Sequence, residues 1–347
     1  MNDGLGFALI GCGDIGGLNA RSIAEAEGAR LVRLVDTNLD SARVLAERFD
    51  VAVSTPGRGA TSPMEDALND ANVDAVFIAT PHDLHASMVA LAARAGKHVI
   101  VEKPIATNIR DAEAAIATCD ECGVSLSVCH PRRYEEKIVR ARALVEDGLV
   151  GRVLVTVSKF LKNKAPDYWS KAPWRSDRAR SGGGVVIMNL VHHFDALQVI
   201  TGQRLVEAVG LTNPLVDPAG VEEAAAVAAR FDGGAVAALA ACTTVPGKKV
   251  FEDEIYGEKG RLVVEKRSVR LQTNDSYVSG RPGQWTVFEF KEDSTSKRGF
   301  IESFVESVLA SKPPPVPGSY GLDLLRIVSQ VYDHSGTNPI ALGEREP

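Results

Sequence analysis

Apolar positions in the first third of the chain fall in short, nearly unbroken runs separated by stretches of helical spacing. The runs predict strands over Phe7–Cys12, Leu31–Val35, Val51–Val53, Asp74–Ala79, His98–Val101 and Val124–Cys129. The intervening three- and four-residue spacing predicts helices over Ile15–Ala26, Leu39–Arg48, Leu84–Ala95 and Ile109–Cys122. Strands without polar alternation are buried on both faces, and alternation with helices implies right-handed crossovers. Residues 1–130 therefore read as an α/β domain built on a doubly wound parallel sheet.

Beyond residue 130 the pattern changes. A helix is expected over Glu135–Glu146, stopped by Gly148. Longer alternating stretches follow, "RVLVTVSKFL", "EAAAVAARFD" and "AVAALAACTTV", the last two joined by the hairpin signal "FDGG". Further strands are expected over Phe251–Tyr256, Arg261–Val264, Val269–Gln272 and Thr286–Phe290. Residues 131–347 thus read as an α+β domain with a mainly antiparallel, open-faced sheet. Two terminal helices, Phe300–Ala310 and Leu322–Tyr332, flank a proline-rich connector and are expected to pack back on the first domain.

Composition narrows the class. The 347 residues are 45% hydrophobic and 24% charged, as in a soluble two-domain protein. A net charge of -6 argues against a nucleic-acid surface. The N-terminus lacks a basic n-region and a long apolar h-region, and no window reaches the ~18 unbroken apolar residues of a membrane span. Five sparse cysteines read as reduced, so a cytoplasmic location is expected. Cys119 and Cys122 form a lone CxxC at a helix end, read as structural.

Candidate chemistry starts at "LIGCGDIGG". Gly11, Gly13 and Gly16 form G-x-G-x-x-G between the first strand and helix, where backbone can approach a pyrophosphate. Asp36 ends the second strand, twenty residues after Gly16, placed to accept from ribose hydroxyls and to repel a 2′-phosphate. This is a Rossmann fingerprint, favouring NAD over NADP. Thr80 and Pro81 follow another strand and are expected to line the cofactor, with His82 and His85 nearby; His85 reads as a helix-start residue that packs or hydrogen-bonds locally. No third ligand accompanies these histidines, so no metal is expected.

Three further stretches carry functional and structural readings side by side. In "HVIVEKPIAT", Lys103 follows a buried strand; alone, it reads first as a solvated strand end. In "SGGGVVIMNLVHHFDALQVITG", His192, Asp195 and Val199 share a helix face with Met188, which sits four residues before His192. The pair is either a structural hydrogen bond or a site in which His192 faces the nicotinamide. In "KNKAPDYWSKAPWRSDRAR", Tyr168, Trp174 and Arg175 suit a sugar or cyclitol, or else cap the sheet.

Together these motifs, with "RRYEEKIVRARALVEDGLVGRV", "WRSDRARSGGG" and "HHFD", resemble the glucose–fructose oxidoreductase, inositol dehydrogenase and rhizopine-catabolism family (Gfo/Idh/MocA). The resemblance implies an NAD(P)-dependent dehydrogenase or ketoreductase acting on a sugar, cyclitol or related polyol. It puts Lys103 and His192 on the family's acid/base positions, and it implies a homodimer or homotetramer. The combined reading assigns cofactor contacts to Gly11, Gly13, Asp14, Ile15, Gly16, Asp36, Thr80, Pro81, His85, Glu102 and Lys103. Substrate contacts fall to Lys103, Tyr168, Trp174, Arg175, Asn189, His192 and Asp195. The chain departs from the pattern at Met188, where many members carry Asp or Asn; a thioether cannot shuttle protons. Two rival readings are a lyase or glycosidase that uses bound NAD transiently, and a non-catalytic sugar sensor.

Overall fold

The computed structural model describes residues 4–55, 62–164, 167–213, 220–247, 249–275, 282–291 and 295–335. The chain divides into two compact units, Met1–Pro131 with Lys297–Asp323, and Arg132–Ser296 with Leu324–Pro347.

In the first unit, six strands form one parallel sheet: β1 (Leu5–Ile10), β2 (Ala29–Val35), β3 (Ala52–Val53), β4 (Ala75–Ile78), β5 (His98–Glu102) and β6 (Leu126–Cys129). Their order is β3-β2-β1-β4-β5-β6, so the winding reverses at β1 and leaves a crevice beyond its carboxyl end. The crossovers are α1 (Gly16–Glu25), α2 (Leu39–Phe49), α3 (Pro63–Leu68), α4 (His85–Arg94) and α5 (Ile109–Glu121). Caps punctuate them: Asn38 accepts from the Asp40 and Ser41 amides, and Asn108 from that of Asp111. Helix α3 is too short for periodicity to reveal, although its start is readable in Ser62, which caps Glu65, and Pro63 at the first position. The core holds Phe7, Phe77 and Ile100 at 0% exposure.

The second unit carries α6 (Glu136–Glu146), β7 (Val153–Leu161) and α7 (Val191–Thr201), the last preceded by a π-helical run at Val186–Leu190. The remaining strands are β8 (Leu205–Asn213), β9 (Ala224–Phe231), β10 (Val236–Cys242), β11 (Val250–Gly257), β12 (Gly260–Val264), β13 (Ser268–Thr273) and β14 (Trp285–Glu289). Eight strands order as β14-β13-β12-β11-β7-β10-β9-β8. All pairs are antiparallel except β7 with β10. The "FDGG" turn joins β9 to β10 with Ala229 opposite Ala237. Helix α6 packs on β12 and β13, and α7 on β7. The chain closes with α8 (Ser296–Leu309) and α9 (Gly318–His334).

Strand β8 escapes the sequence pattern for a physical reason. Beyond Leu205 its inward positions are small, Ala208 and Gly210, whereas Val206, Val209 and Leu211 face outward. A Cβ on Gly210 would lie 2.8 Å from the Val331 side chain, so α9 packs directly against this backbone. Strands β9 and β10 continue the outward face with Ala226, Ala228, Ala238 and Ala240, a largely apolar surface. One helical stretch, Arg178–Thr201, has the length and apolarity of a bilayer span, but 78% of its apolar window is buried inside the protein.

Candidate functional site

The glycine turn between β1 and α1 is shaped by close backbone packing. Gly11 has φ +104, and a Cβ there would lie 2.4 Å from the Ala79 carbonyl oxygen. A Cβ on Gly16 would lie 3.1 Å from the Gly11 oxygen. Gly13 has nothing within 4 Å of such a Cβ, so its outer side is open. No side chain caps α1 and no acidic residue occupies its first turn. Asp36 is held beside this turn: its Oδ2 accepts from the Cys12 amide at 2.7 Å and its Oδ1 from the Asn38 amide at 2.7 Å. Open glycine backbone, an unblocked helix start and a fixed carboxylate fit a dinucleotide. Asp14 and Ile15 are exposed on the same turn. Burial, then Asp36, push the Cys12 thiol up to about 12, so it stays protonated.

At the neighbouring strand ends, Thr80 and Pro81 follow β4 and are half-buried. His85 starts α4, where the sequence allowed a cofactor contact or a side chain that packs and hydrogen-bonds locally. It is fully buried, with Nδ1 2.6 Å from the Pro104 oxygen and Nε2 2.9 Å from the Thr80 oxygen, as the local reading expects. Burial lowers its pKa; the two carbonyls and Glu102 pull the other way, while Lys103 acts with burial. The Lys103–Pro104 peptide is cis.

Glu102 is likewise engaged inside the protein. Its Oε1 lies 2.7 Å from Lys297 Nζ, and Lys297 also donates to Asn19 Oδ1 of α1 at 2.6 Å. Both charged side chains are 11% exposed. Burial opposes the charge on Glu102, but Lys297, and less strongly Lys103, outweigh it and hold the carboxyl below its usual range. Burial likewise pulls Lys297 down, and Glu102 outweighs it, so its pKa is raised. No local sequence signal pairs two residues 195 positions apart, and Lys297 was absent from the sequence reading.

In the second unit, two of the three glycines before α7, Gly183 and Gly184, serve packing. Gly183 has φ +136, and a Cβ there would lie 2.1 Å from Tyr332 Oη; on Gly184 it would lie 2.0 Å from the Glu222 oxygen. The buried Glu222 carboxylate accepts from the amides of Gly184 at 2.7 Å and Val186 at 3.0 Å, and from the Tyr332 hydroxyl at 2.7 Å. It caps the helical segment from outside the local sequence. Burial pushes its carboxyl above the usual range, against the pull of these donors.

The π-helical run contains Met188 and Asn189, so the even α-helical spacing assumed for Met188 and His192 is interrupted. His192 is half-buried, and Arg132 Nη1 donates to its carbonyl at 3.4 Å. Asp195 is buried and ion-paired with Arg133. The adjacent His193 was not singled out by sequence; it is buried with Nδ1 2.6 Å from Asp253 Oδ1. Ser158 donates to the same carboxylate, and Arg132 Nη2 lies 3.6 Å from its other oxygen. Burial opposes the Asp253 charge, but His193, then Arg132 and Ser158, bring its pKa down to about 2.

Tyr168, Trp174 and Arg175 do come together. The Arg175 guanidinium sits 4.4 Å from the Tyr168 ring centroid and 5.7 Å from that of Trp174, and Lys164 Nζ sits 4.0 Å from the Tyr168 ring. The Tyr168 hydroxyl reaches Met188 Sδ at 4.0 Å. Asn189 Oδ1 is buried without a hydrogen-bond partner among the described residues. Cys119 is buried and Cys122 exposed, both as free thiols. No group of three His, Cys, Asp or Glu among the described residues is arranged to hold a metal.

Comparison with known proteins supplies independent findings. Residues 5–130 match the family model described as oxidoreductase family, NAD-binding Rossmann fold, and residues 138–263 match the GFO/IDH/MocA C-terminal domain. The chain is 26% identical to myo-inositol 2-dehydrogenase of Thermotoga maritima over 320 residues, 91% of each protein. It is 25% identical to inositol 2-dehydrogenase of Rhizobium meliloti over 329 residues, 92% of this chain and 94% of that one. Its fold superposes on levoglucosan dehydrogenase, solved with NADH and levoglucosan, with a TM-score of 0.85 at 19% identity, covering 96% of this chain and 98% of that one.

Two stability measurements follow from the buried carboxylates. Lys297→Met leaves Glu102 uncompensated and should cost about 3–5 kcal/mol in urea unfolding, with the Glu102→Gln/Lys297→Met double variant closer to wild type than additivity requires. Asp253 has a folded pKa below its unfolded value. Its stabilisation is therefore present above the ordinary carboxylate pKa of ~3.9 and lost as pH falls towards about 2. Asp253→Asn should cost about 2–3 kcal/mol at neutral pH, and the gap from wild type should narrow only below about pH 4. A gap independent of pH would contradict a charged Asp253.

Proposed function

The chain belongs to the GFO/IDH/MocA oxidoreductase family, and from that premise we propose that it transfers a hydride between NAD and a carbinol or keto carbon of a sugar, cyclitol or related polyol. The observation that carries this reading is the position of Lys103. It follows β5 at the carboxyl edge of the parallel sheet, one strand beyond β4 and two beyond the Gly11 turn. Ligands of open α/β sheets lie at that edge. Two relatives that match this chain over 91% and 92% of its length are inositol dehydrogenases, which supports the substrate class.

When bound, NAD supplies the hydride acceptor, and in the reverse direction the donor. The chain supplies proton transfer and position. In oxidation, Lys103 Nζ takes the hydroxyl proton as the carbon loses hydride; in reduction it returns that proton. Lysine serves as a base only where its neutral form is accessible, which partial desolvation favours. His192 is the second proton carrier and orients the same hydroxyl. Arg132, bonded to the His192 carbonyl, holds that residue's backbone.

Asn189 offers its unpaired amide oxygen to a substrate hydroxyl. Tyr168 and Trp174, stacked with Arg175, hold the sugar ring, and Asp195 supports the helix through Arg133. Met188 contributes volume and a contact to the Tyr168 hydroxyl in place of a proton-carrying group. On the nucleotide, Asp36 accepts from the ribose hydroxyls and Gly11, Gly13 and Gly16 admit the pyrophosphate.

We place self-association on the outward face of β8, β9 and β10, centred on Val209, Leu211, Ala228 and Ala238, because exposed apolar side chains gather there on adjacent strands. Leu211→Glu should shift the sedimentation coefficient to that of a smaller species; an unchanged value removes this face from the interface.

The reaction itself is tested by Lys103→Met. That variant should lose turnover by about 10²-fold or more against a panel of cyclitols and sugars while binding NAD within about threefold of wild type. Near-wild-type turnover would remove Lys103 from its role. Turnover without net NADH, with nucleotide retained through purification, would favour the transient-oxidation lyase instead.

A further inference from the structure

We infer that His85 is a positioning residue for Lys103: its buried imidazole ties the main chain immediately after the lysine to the end of strand β4. The inference rests on the proton-carrier reading of Lys103, and its geometry lies within one compact unit.

The ring has no exposed surface, and its nitrogens lie 2.6 Å from the Pro104 carbonyl and 2.9 Å from the Thr80 carbonyl. A neutral ring donates to one of them and packs against the other, and an imidazolium donates to both. These acceptors lie on separate loops, after β5 and after β4. A ring facing a cofactor would keep a nitrogen for it; this one faces two backbone oxygens instead. One of them belongs to the residue joined directly to Lys103. The other is next to Ala79, whose carbonyl packs against Gly11 so closely that a Cβ there would lie 2.4 Å away. His85 therefore links the lysine's backbone to the backbone behind the glycine turn. On the opposite side, Glu102 is anchored through Lys297 to Asn19 of α1. The residues before and after Lys103 are thus both tied to elements that frame the glycine turn. A side chain held this way keeps its reach constant through the reaction, and small displacements of a reacting group are costly in rate.

His85→Phe keeps the ring volume and removes both nitrogens, while His85→Gln restores one donor. Each is compared with wild type in the full-length protein by three measurements. The first is trace labelling of amines with acetic anhydride from about pH 6 to 11, read by mass spectrometry on the Lys103 peptide. The second is NAD binding by calorimetry. The third is kcat and KM with myo-inositol and with levoglucosan. In His85→Phe the labelling rate or midpoint of Lys103 should change about threefold or more while the other lysines hold theirs. NAD affinity should stay within about threefold, and kcat should fall about 10- to 100-fold with little change in KM. His85→Gln should recover part of the difference.

If His85→Phe lowers only the melting temperature and leaves Lys103 labelling unchanged, the ring is structural and the inference fails. The two ideas fail separately. Normal turnover in Lys103→Met defeats the proton-carrier reading, whereas the labelling profile reports the tie even if neither polyol is a substrate.

Discussion

The Glu102–Lys297 ion pair is the constraint on which the first unit is organised. Two opposite charges with side chains 11% exposed are tolerable only together, because either alone would carry an uncompensated desolvation cost. Lys297 lies in the first turn of α8, far along the chain, and its ammonium also binds Asn19 of α1. One amine therefore joins the helix that starts at the glycine turn, the strand that ends at Lys103 and a helix returning after the second sheet. The contact of Phe304 with Phe7, ring centroids 6.3 Å apart, continues the same attachment into the core.

A parallel solution recurs in the second unit. The sheet there gives α7 a platform but no local means of ending its N-terminus, since the preceding glycines bring no side chains. Glu222 supplies the cap from a distant position, with Tyr332 of α9 completing its hydrogen bonds. Asp253 of β11 fixes the other side through His193, and Arg133 holds Asp195. Adjacent histidines thereby acquire different environments: His193 is buried against Asp253, while His192 is half-buried and its carbonyl accepts from Arg132.

Burial separates two sets of polar residues. Glu102, His85 and Asp195 all carry chemistry in their side chains, and all three are occupied by partners within their own unit. Lys103, Asn189 and His192 are half-buried, and they lie next to or near these anchored residues. The chain thus surrounds each candidate reacting group with polar residues whose own hydrogen bonds are already committed, which is the usual requirement for holding geometry without adding mobility.

The family, the parallel sheet and the dinucleotide turn were legible in the sequence because each rests on local rules. Apolar runs alternate with helical spacing, a glycine is needed where φ reaches +104, and Asp36 ends the strand next to that turn. Strand β8 was not legible, since Val206, Val209 and Leu211 face outward while Ala208 and Gly210 face inward. Nor were the partners of Glu102 and His193; for His85 a local hydrogen bond was legible, but not its acceptors. A carboxylate at a strand end, or a histidine in a helix, has the same local sequence whether it meets a ligand, water or another side chain. Only the tertiary structure brought Lys297 to Glu102, two backbone carbonyls to His85 and Asp253 to His193, because those partners lie far away in the chain or in the backbone of another loop, where no sequence period reaches.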